Sequence, residues 1–314
     1  MRFGCFLIGL AAYAQPFSFA FIGDMPYGPE SLVPFERVMA EIIGDKDVRF
    51  VLHAGDVKAG SERCDDALIK SRFVQLQKFR LPLVYTPGDN EWTDCHRAAA
   101  GVFNPIERLA FVRKTFFPDP DSTTGGTKMR VIGQSRIPGF GDYVENVWFK
   151  QRQVMFATVH VVGSNNGLEP WSGIDPADTA ATPRADRLAE FTARQAAALA
   201  WLDEIFKQAS DCRGVFLVMQ ADPRFDRMPG DPMRAGFDAF LAKLQALVVA
   251  SGKTVILAQG DSHVLIIDQP FPTVRFTRLQ AFGEDKVHWV KIRVDPKASN
   301  IFTILPRIVS ANVK

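Results

Sequence analysis

Three short apolar runs near the beginning of the chain each end at a Gly-Asp pair. The runs are residues 17–23, 48–54 and 81–87, and the pairs are Gly23-Asp24, Gly55-Asp56 and Gly88-Asp89. Runs of this length that are rich in Val, Phe, Ile and Leu are typical of buried strands. Helix-length segments at 31–43 and 65–79 separate them. This alternation predicts successive βαβ crossovers and a parallel sheet that is covered on both faces.

The rest of the chain continues the same α/β pattern. Long amphipathic segments predict helices at 185–210 and 233–250, and apolar runs predict strands at 143–149, 153–162, 215–219, 254–258, 264–267, 273–276, 287–294 and 301–305. No repeat, low-complexity tract or linker interrupts the sequence after the first residues. We therefore expect a single domain that spans residues 15–314.

The charge balance of the chain argues against a nucleic-acid partner. Its 37 Lys and Arg residues nearly balance its 35 Asp and Glu residues, which leaves a formal net charge of +2. Proteins that bind nucleic acids depend on a concentrated basic surface to neutralise phosphates. We find no dense Lys/Arg stripe interleaved with aromatic residues, and nucleic acid is therefore not an expected partner.

The first 14 residues have the pattern of a secretory signal peptide. Met1 and Arg2 form a short basic start, residues 3–12 are almost wholly apolar, and Ala12-Tyr13-Ala14 resembles a cleavage site. The apolar run is shorter than the ~20 residues that a membrane-spanning helix needs. We expect a secreted or periplasmic protein with no membrane span after removal of the signal.

Two cysteines lie close to the acidic motifs. Cys64 follows Asp56 by eight residues and Cys95 follows Asn90 by five. If Asp56 and Asn90 share a site, their loops are neighbours, and a disulfide between Cys64 and Cys95 is then expected in an oxidising compartment. The alternative is a pair of free loop thiols. Cys212 is expected to stay unpaired.

A fourth Gly-Asp pair adds a histidine to the candidate site. Gly260-Asp261-Ser262-His263 follows the predicted strand 254–258. Because ligands bind at the carboxyl ends of parallel strands, all four strand-end motifs are expected to face one crevice. Carboxylates at that density repel one another, and a divalent cation would offset the repulsion.

The order of these motifs resembles that of the calcineurin-like metallophosphoesterases. Their pattern is Asp-x-His, Gly-Asp, Gly-Asn-His-Asp/Glu, a lone His and Gly-His-x-His, and the resemblance covers residues 19–294. It implies a four-layer α-β-β-α sandwich with two mixed sheets. It also implies hydrolysis of a phosphorylated small molecule or ester by a metal-bound hydroxide.

The resemblance assigns roles to particular residues of this chain. Asp24, Asp56, Asn90 and His263 match metal ligands of the pattern, with Asp56 as the acid that bridges two metals. Gln220 and Asp261 stand where the pattern has histidines, and they complete the predicted metal-ligand set. Asp56 and Glu91 are the predicted catalytic residues. Pro26 replaces the histidine of the first motif.

The substitutions change the expected chemistry of the site. Replacing nitrogen with oxygen favours hard ions such as Mg, Mn or Ca over Zn, and one or two divalent ions from the set Mn, Mg, Ca or Fe/Zn are expected. Glu91 replaces the histidine that protonates the leaving group. It would act as a general acid only with a raised pKa, and otherwise it orients its loop through hydrogen bonds.

Two functions follow from these assignments. The first is a secreted, metal-dependent phosphoester hydrolase. The second is a relative that keeps the fold, has lost catalysis and serves a binding or structural role, since several pattern histidines are absent. A serine hydrolase is disfavoured, because no Gly-x-Ser-x-Gly motif lies at a strand end.

Overall fold

The computed structural model describes residues 15–272 and 275–313, and two β-sheets form its centre. The first sheet contains β1 (Phe17–Ile22), β2 (Val48–His53), β3 (Leu83–Tyr85), β11 (Trp289–Val294) and β12 (Phe302–Arg307), in the order β12-β11-β1-β2-β3. The second contains β4 (Ile132–Gly133), β5 (Val147–Gln151), β6 (Val154–Thr158), β7 (Gly214–Val218), β8 (Thr254–Gln259), β9 (Ile266–Asp268) and β10 (Phe276–Gln280), in the order β4-β5-β6-β7-β8-β10-β9.

Both sheets are mixed. In the first, β1, β2 and β3 are parallel, whereas β11 and β12 pair antiparallel. In the second, β6, β7, β8 and β10 are parallel, and β4, β5 and β9 add antiparallel pairs at the edges. The βαβ alternation thus predicts the parallel centre of each sheet, whereas the antiparallel strands come from the loosely patterned middle and end of the chain.

Helices cover the outer face of each sheet. On the first sheet pack α1 (Leu32–Gly44), α2 (Asp66–Leu76) and α3 (Pro105–Phe116). On the second pack α4 (Ala185–Gln208) and α5 (Asp238–Ser251). The inner faces of the two sheets share an apolar core. These layers form the four-layer α-β-β-α sandwich, and the predicted fold class is confirmed.

Phenylalanines from both sheets fill the layer between them. The ring of Phe19 lies 5.0 Å from that of Phe50 in its own sheet, and 5.1 Å and 4.8 Å from those of Phe156 and Phe216 in the other. All four side chains are buried. Edge-to-face contacts of this kind add to the stabilisation from apolar burial, so this cluster joins the two sheets.

Helix α3 is absent from the sequence prediction. Asn104 caps it by accepting hydrogen bonds from the backbone of residues 106 and 107, and Pro105 occupies its first turn. Two of its charged residues interrupt the apolar pattern. Arg108 pairs with Asp66 of α2, and Arg113 pairs with the buried Glu145. Tertiary ion pairs therefore stabilise a helix whose amphipathic pattern is weak.

Two predictions concern residues that the structure does not describe. The signal peptide lies within residues 1–14, and the strand at 273–276 overlaps residues 273–274; β10 begins at Phe276. Across the described ranges, no helix has the length and apolar character needed to cross a membrane. The predicted helix 233–250 begins five residues later, at Asp238.

Candidate functional site

The strand-end acids meet at one edge of the sandwich. Asp24 follows β1, Asp56 follows β2, Asp89 follows β3 and Asp261 follows β8. They surround the floor of a crevice of about 460 Å³, whose lining includes Asp56, Asp89, Asp261 and His263. Asp24 is fully buried behind this lining. The four Gly-Asp motifs are thus brought together, as parallel strand ends require.

Four residues of the site have left-handed backbone conformations. The φ angle is 55° at Asp24, 53° at Asp56, 80° at Asp261 and 55° at His263. Such conformations cost non-glycine residues about 1–3 kcal/mol each and persist only where the surroundings impose them. Their concentration on the predicted ligands supports a functional role for this edge.

Two of the preceding glycines are required by close packing. A Cβ atom on Gly88 would lie 1.9 Å from Asp56 Oδ1, and one on Gly260 would lie 2.2 Å from Asp24 Oδ2. Any larger residue would displace the carboxylates. The pairs Gly88-Asp89 and Gly260-Asp261 therefore contribute both an acid and the space for an acid that follows another strand.

Asp56 lies at the centre of a hydrogen-bond network. Its Oδ2 accepts hydrogen bonds from the Tyr27 hydroxyl at 3.0 Å, Asn90 Nδ2 at 2.8 Å and Gln220 Nε2 at 3.1 Å. Asn90 Nδ2 also donates to the Tyr27 hydroxyl, at 3.0 Å. The predicted bridging acid is thus saturated by protein donors, and the amide nitrogen of Asn90 faces it.

Gln220 donates to acids and does not present its oxygen to them. Its Oε1 accepts a hydrogen bond from the backbone N–H of Gly163 at 2.7 Å, which fixes the orientation of the amide. Its Nε2 then lies 3.1 Å from oxygens of Asp56 and Asp89 and 3.3 Å from Asp261. In this orientation the amide nitrogen of Gln220, and not its oxygen, faces the acids, and its role as a metal ligand stays a prediction.

Glu91 lies behind the site. It is fully buried and accepts hydrogen bonds from the backbone of Val57 at 2.8 Å and Gly88 at 3.2 Å, and from the Tyr85 hydroxyl at 2.8 Å. It does not line the crevice. Because a general acid must reach the leaving group, this placement favours the alternative role, in which Glu91 orients the loops after β2 and β3.

Asp89 is the site residue that the sequence reasoning missed. It lines the crevice, and its carboxylate accepts from Gln220 and, at 3.0 Å, from the Ser164 hydroxyl. Letter by letter, Gly88-Asp89-Asn90-Glu91 parallels Gly-Asn-His-Asp/Glu. In that register Asp89 occupies the position of the pattern's asparagine, Asn90 that of its histidine, and Glu91 that of its final acid.

The pKa values of four acids of the site, Asp24, Asp56, Asp94 and Asp261, are raised. Burial raises the pKa of Asp56 well above its ordinary value, and the charges of Asp89 and Glu91 raise it further. Burial and neighbouring carboxyls likewise raise the pKa of Asp24 and Asp261. Burial and Asp89 raise the pKa of Asp94 to about 8. The site therefore favours bound protons or a cation.

Few cations compensate these acids. Lys58 is fully buried and donates to the carbonyl of Ala59, and burial lowers its pKa against the opposing effect of Glu91 and Asp56. Burial also lowers the pKa of His263, so this imidazole is neutral at pH 7 and its lone pair is free to coordinate.

Arg97 is the only Arg or Lys among the described residues that line the crevice. Its Nη1 lies 2.7 Å from Asp94 Oδ2, and its Nη2 donates to the Ser164 hydroxyl at 3.2 Å. Its side chain is 43% exposed. A guanidinium held in this way suits an anionic group in the crevice.

The predicted ligands divide into a first metal position, with Asp24, Asp56 and His263, and a second, with Asp56, Asn90, Asp261 and Gln220. The donors at the first position fit a cation. Asp24 Oδ2 is buried and has no hydrogen-bond partner in the described part of the chain. The neutral His263 lies beside this carboxylate, with Nε2 3.7 Å from Asp24 Oδ1. Among residues 15–272 and 275–313, no group of three or more His, Cys, Asp or Glu residues has the arrangement of a preformed metal site. At the second position the amide nitrogen of Gln220 points toward the acids, which does not fit a cation there.

A disulfide joins Cys64 to Cys95, and this prediction is confirmed. Both cysteines are fully buried. The bridge links the loop that follows Asp56 to the loop that follows Asn90, and it restricts how far these two segments can separate. Cys212 is free and buried, as expected.

Similarity to solved structures confirms the fold. A dimetal phosphatase from Danio rerio aligns with a TM-score of 0.55 and 12% identity over 93% of this chain and 96% of its own. GAP50, the anchor in the inner membrane complex of Plasmodium, aligns with a TM-score of 0.50 and 10% identity over 93% of this chain and 89% of its own. No family model and no curated protein sequence matches the chain. The chain therefore has the calcineurin-like metallophosphoesterase fold, in a divergent form.

Proposed function

We propose that this protein is a phosphoester hydrolase that depends on a divalent cation and acts outside the cytoplasm. The observation that carries the proposal is that Asp24 Oδ2, which is buried near Asp56 and Asp261, has no hydrogen-bond partner among the described residues, while the pKa values of all three acids are raised. Burying an ionised carboxylate without a partner is costly, and a cation would remove that cost. The metallophosphoesterase fold supports the proposed reaction class.

Different side chains of the crevice would bind the ion and the substrate. Asp24, Asp56 and His263 would hold a single cation, and Arg97 would bind an oxygen of the phosphoryl group. The ion would neutralise the acids and polarise the phosphoryl group. Burial and the charge of Asp56 raise the pKa of Tyr27 well above its ordinary value, so its hydroxyl remains a donor that orients Asp56.

Replacement of the central acid tests the proposal. We expect the mature protein to hydrolyse 4-nitrophenyl phosphate or its bis ester with Mg²⁺, Mn²⁺ or Ca²⁺. Asp56→Asn should lower kcat/KM by about 10²-fold or more, because removal of one transition-state stabiliser costs that much. Calorimetry should show weaker cation binding. Asp186→Asn, a surface change on α4, is the control.

The proposal fails if the wild-type protein hydrolyses neither ester with any cation, or if Asp56→Asn is as active as Asp186→Asn.

The extracytoplasmic location rests on two observations. The sequence begins with a signal-like segment, and the disulfide is a type of bond that persists in oxidising compartments. Fractionation of expressing cells, followed by determination of the N-terminus, should find a protein that begins near residue 15 outside the cytoplasm. A cytoplasmic protein that begins at Met1 would contradict the proposed location.

A second candidate is a binding or structural protein without catalysis. The donors that saturate Asp56, and the fixed amide of Gln220, favour it because they satisfy the acids without an ion. The similarity to GAP50, described as an anchor, supports the same role. Absence of both cation binding and turnover in the purified protein would favour this candidate.

A further inference from the structure

A second depression of about 330 Å³ adjoins the crevice. Ser164, Glu169 and Asp261 line both, so the two spaces meet along a shared wall. Asp261 lies in the acid cluster, and Ser164 accepts from Arg97 and donates to Asp89. If Arg97 binds the phosphoryl group of a phosphoester, the organic part of that ester would therefore lie next to this depression.

The depression is bounded by a rigid backbone turn. Ser164, Asn165 and Asn166 have consecutive left-handed conformations, with φ between 51° and 57°. Asn165 Nδ2 donates to the carbonyl of Pro232 at 2.8 Å, and Asn166 Nδ2 donates to that of Gly236 at 3.0 Å. These bonds hold the turn against the segment 232–236, which forms another part of the boundary.

About half of the residues that line the depression are apolar. They are Leu168, Pro170, Ala180, Pro232, Met233 and Phe237. Phe237 belongs to the core, whereas the Met233 residue is 52% exposed. Exposed apolar side chains around a concave site mark it as suited to an apolar ligand group.

The charged part of the lining carries more negative than positive groups. Glu169 and Asp222 contribute carboxylates, and Arg224 contributes one guanidinium. Arg224 is already paired with Asp226 through two contacts of 3.1 Å. The ion pairs of Glu169 and Asp222 are looser, at 3.7 Å to Arg97 and 3.9 Å to Arg278. An additional anionic group on a ligand would meet like charge here, whereas a neutral or cationic group would not.

We propose that this depression is the subsite for the organic part of the phosphoester, and that it selects an apolar group that is uncharged or cationic over one with a second anion. The inference rests on the proposed function, because it assigns the phosphoryl group to the adjoining crevice. It places substrates with a second phosphate or a carboxylate near the reacting ester outside the preferred class.

Binding of stable phosphonates tests the selectivity without requiring turnover. Calorimetry in Mn²⁺ would compare benzylphosphonate with its para-aminomethyl and para-carboxy derivatives. We expect the first two to bind at least about tenfold more tightly than the carboxy derivative, because a like-charge contact is costly in a partly dry site.

A positive charge introduced among the apolar lining residues should invert the preference of the depression for uncharged or cationic groups. In Met233→Lys the carboxy derivative should gain affinity and the aminomethyl derivative should lose it, each by about threefold or more. Met228→Lys is the matched control, since Met228 lies in the same loop, is 78% exposed and does not line the depression. It should leave all three affinities unchanged.

The inference is overturned if no phosphonate binds, if the three bind within about twofold of one another, or if the two lysine variants have the same effect. Selective binding without hydrolysis of any ester would support the subsite and refute the proposed catalysis. Hydrolysis of esters at rates that do not depend on the organic group would support the proposed catalysis and refute the subsite.

Discussion

At the scale of single residues, hydrogen-bond donors occupy positions where the family pattern has metal-ligating or catalytic histidines. Gln220 directs its amide nitrogen at three acids because its oxygen is held by Gly163. Asn90 directs its own amide nitrogen at Asp56. The position of a residue in a motif can be read from sequence, but the direction of an amide depends on a partner that is 57 residues away in the case of Gln220.

The protonation of Asp94 predicts an unusual pH dependence of stability. All five histidines have lowered pKa values in the fold, and with their ordinary value of 6.5 in the unfolded chain they are neutral in both states above about pH 8. Asp94, with a pKa of about 8, keeps a proton that the unfolded chain has released. Its stabilisation is complete below the ordinary value of 3.8 and is lost as pH rises through 8.

Denaturant unfolding of cation-free protein should therefore show falling stability between pH 7 and pH 9. We expect Asp94→Asn to reduce the fall by roughly 1 kcal/mol, since one pKa unit corresponds to that order of energy. Asp186→Asn is the control, because an ion pair with Arg184 lowers the pKa of Asp186 and it stays ionised over this range. Equal pH slopes in the two variants would refute the prediction.

At the scale of elements, the strand-end loops decide the geometry of the site. The strands β1, β2 and β8 and the helix α1 lie close to their predicted positions, because buried strands and amphipathic helices have strong periodic signals. The disulfide also follows from sequence, since both cysteines lie just beyond residues that face one crevice. Helix α3 is not predicted from the sequence, because its arginines interrupt the apolar pattern and their acidic partners are distant in sequence.

Removal of the disulfide should destabilise the loops around the site. The bridge joins residues 31 apart, and closing a loop of that length stabilises a fold by about 3–4 kcal/mol. We expect a loss of that size in the double variant Cys64→Ser/Cys95→Ser, measured by denaturant unfolding. Cys212→Ala, which changes a buried cysteine outside the bridge, should cost less. A loss below that of Cys212→Ala would contradict the prediction.

At the scale of the whole molecule, the inter-sheet core holds the crevice together. β1 and β2 carry Asp24 and Asp56, whereas β8 of the other sheet carries Asp261. The site therefore exists only while the two sheets stay packed. Phe19 is the central contact, with rings of both sheets within about 5 Å of it.

Truncation of Phe19 should accordingly weaken both stability and the site. Phe19→Ala is expected to cost about 3–5 kcal/mol, the range for loss of a buried phenylalanine. Val74→Ala, at an exposed position of α2, should stay within about 0.5 kcal/mol of wild type. Calorimetric unfolding would measure both. Similar losses in the two variants would show that Phe19 does not link the sheets.

Local periodicity in the sequence predicts the α/β class, and the rule that parallel strands end at a common edge predicts the meeting of the strand-end acids. The four-layer sandwich is predicted by the resemblance of the motif order to the metallophosphoesterase pattern, and the cysteine pair is one of two alternatives that the sequence leaves open. The role of each side chain at the site depends on the tertiary structure. Glu91 is buried behind the crevice, the backbone N–H of Gly163 orients the amide nitrogen of Gln220 toward the acids, and Asp24 Oδ2 has no hydrogen-bond partner among the described residues. Hydrogen-bond direction and desolvation depend on neighbours that are remote in sequence, and local patterns do not contain them.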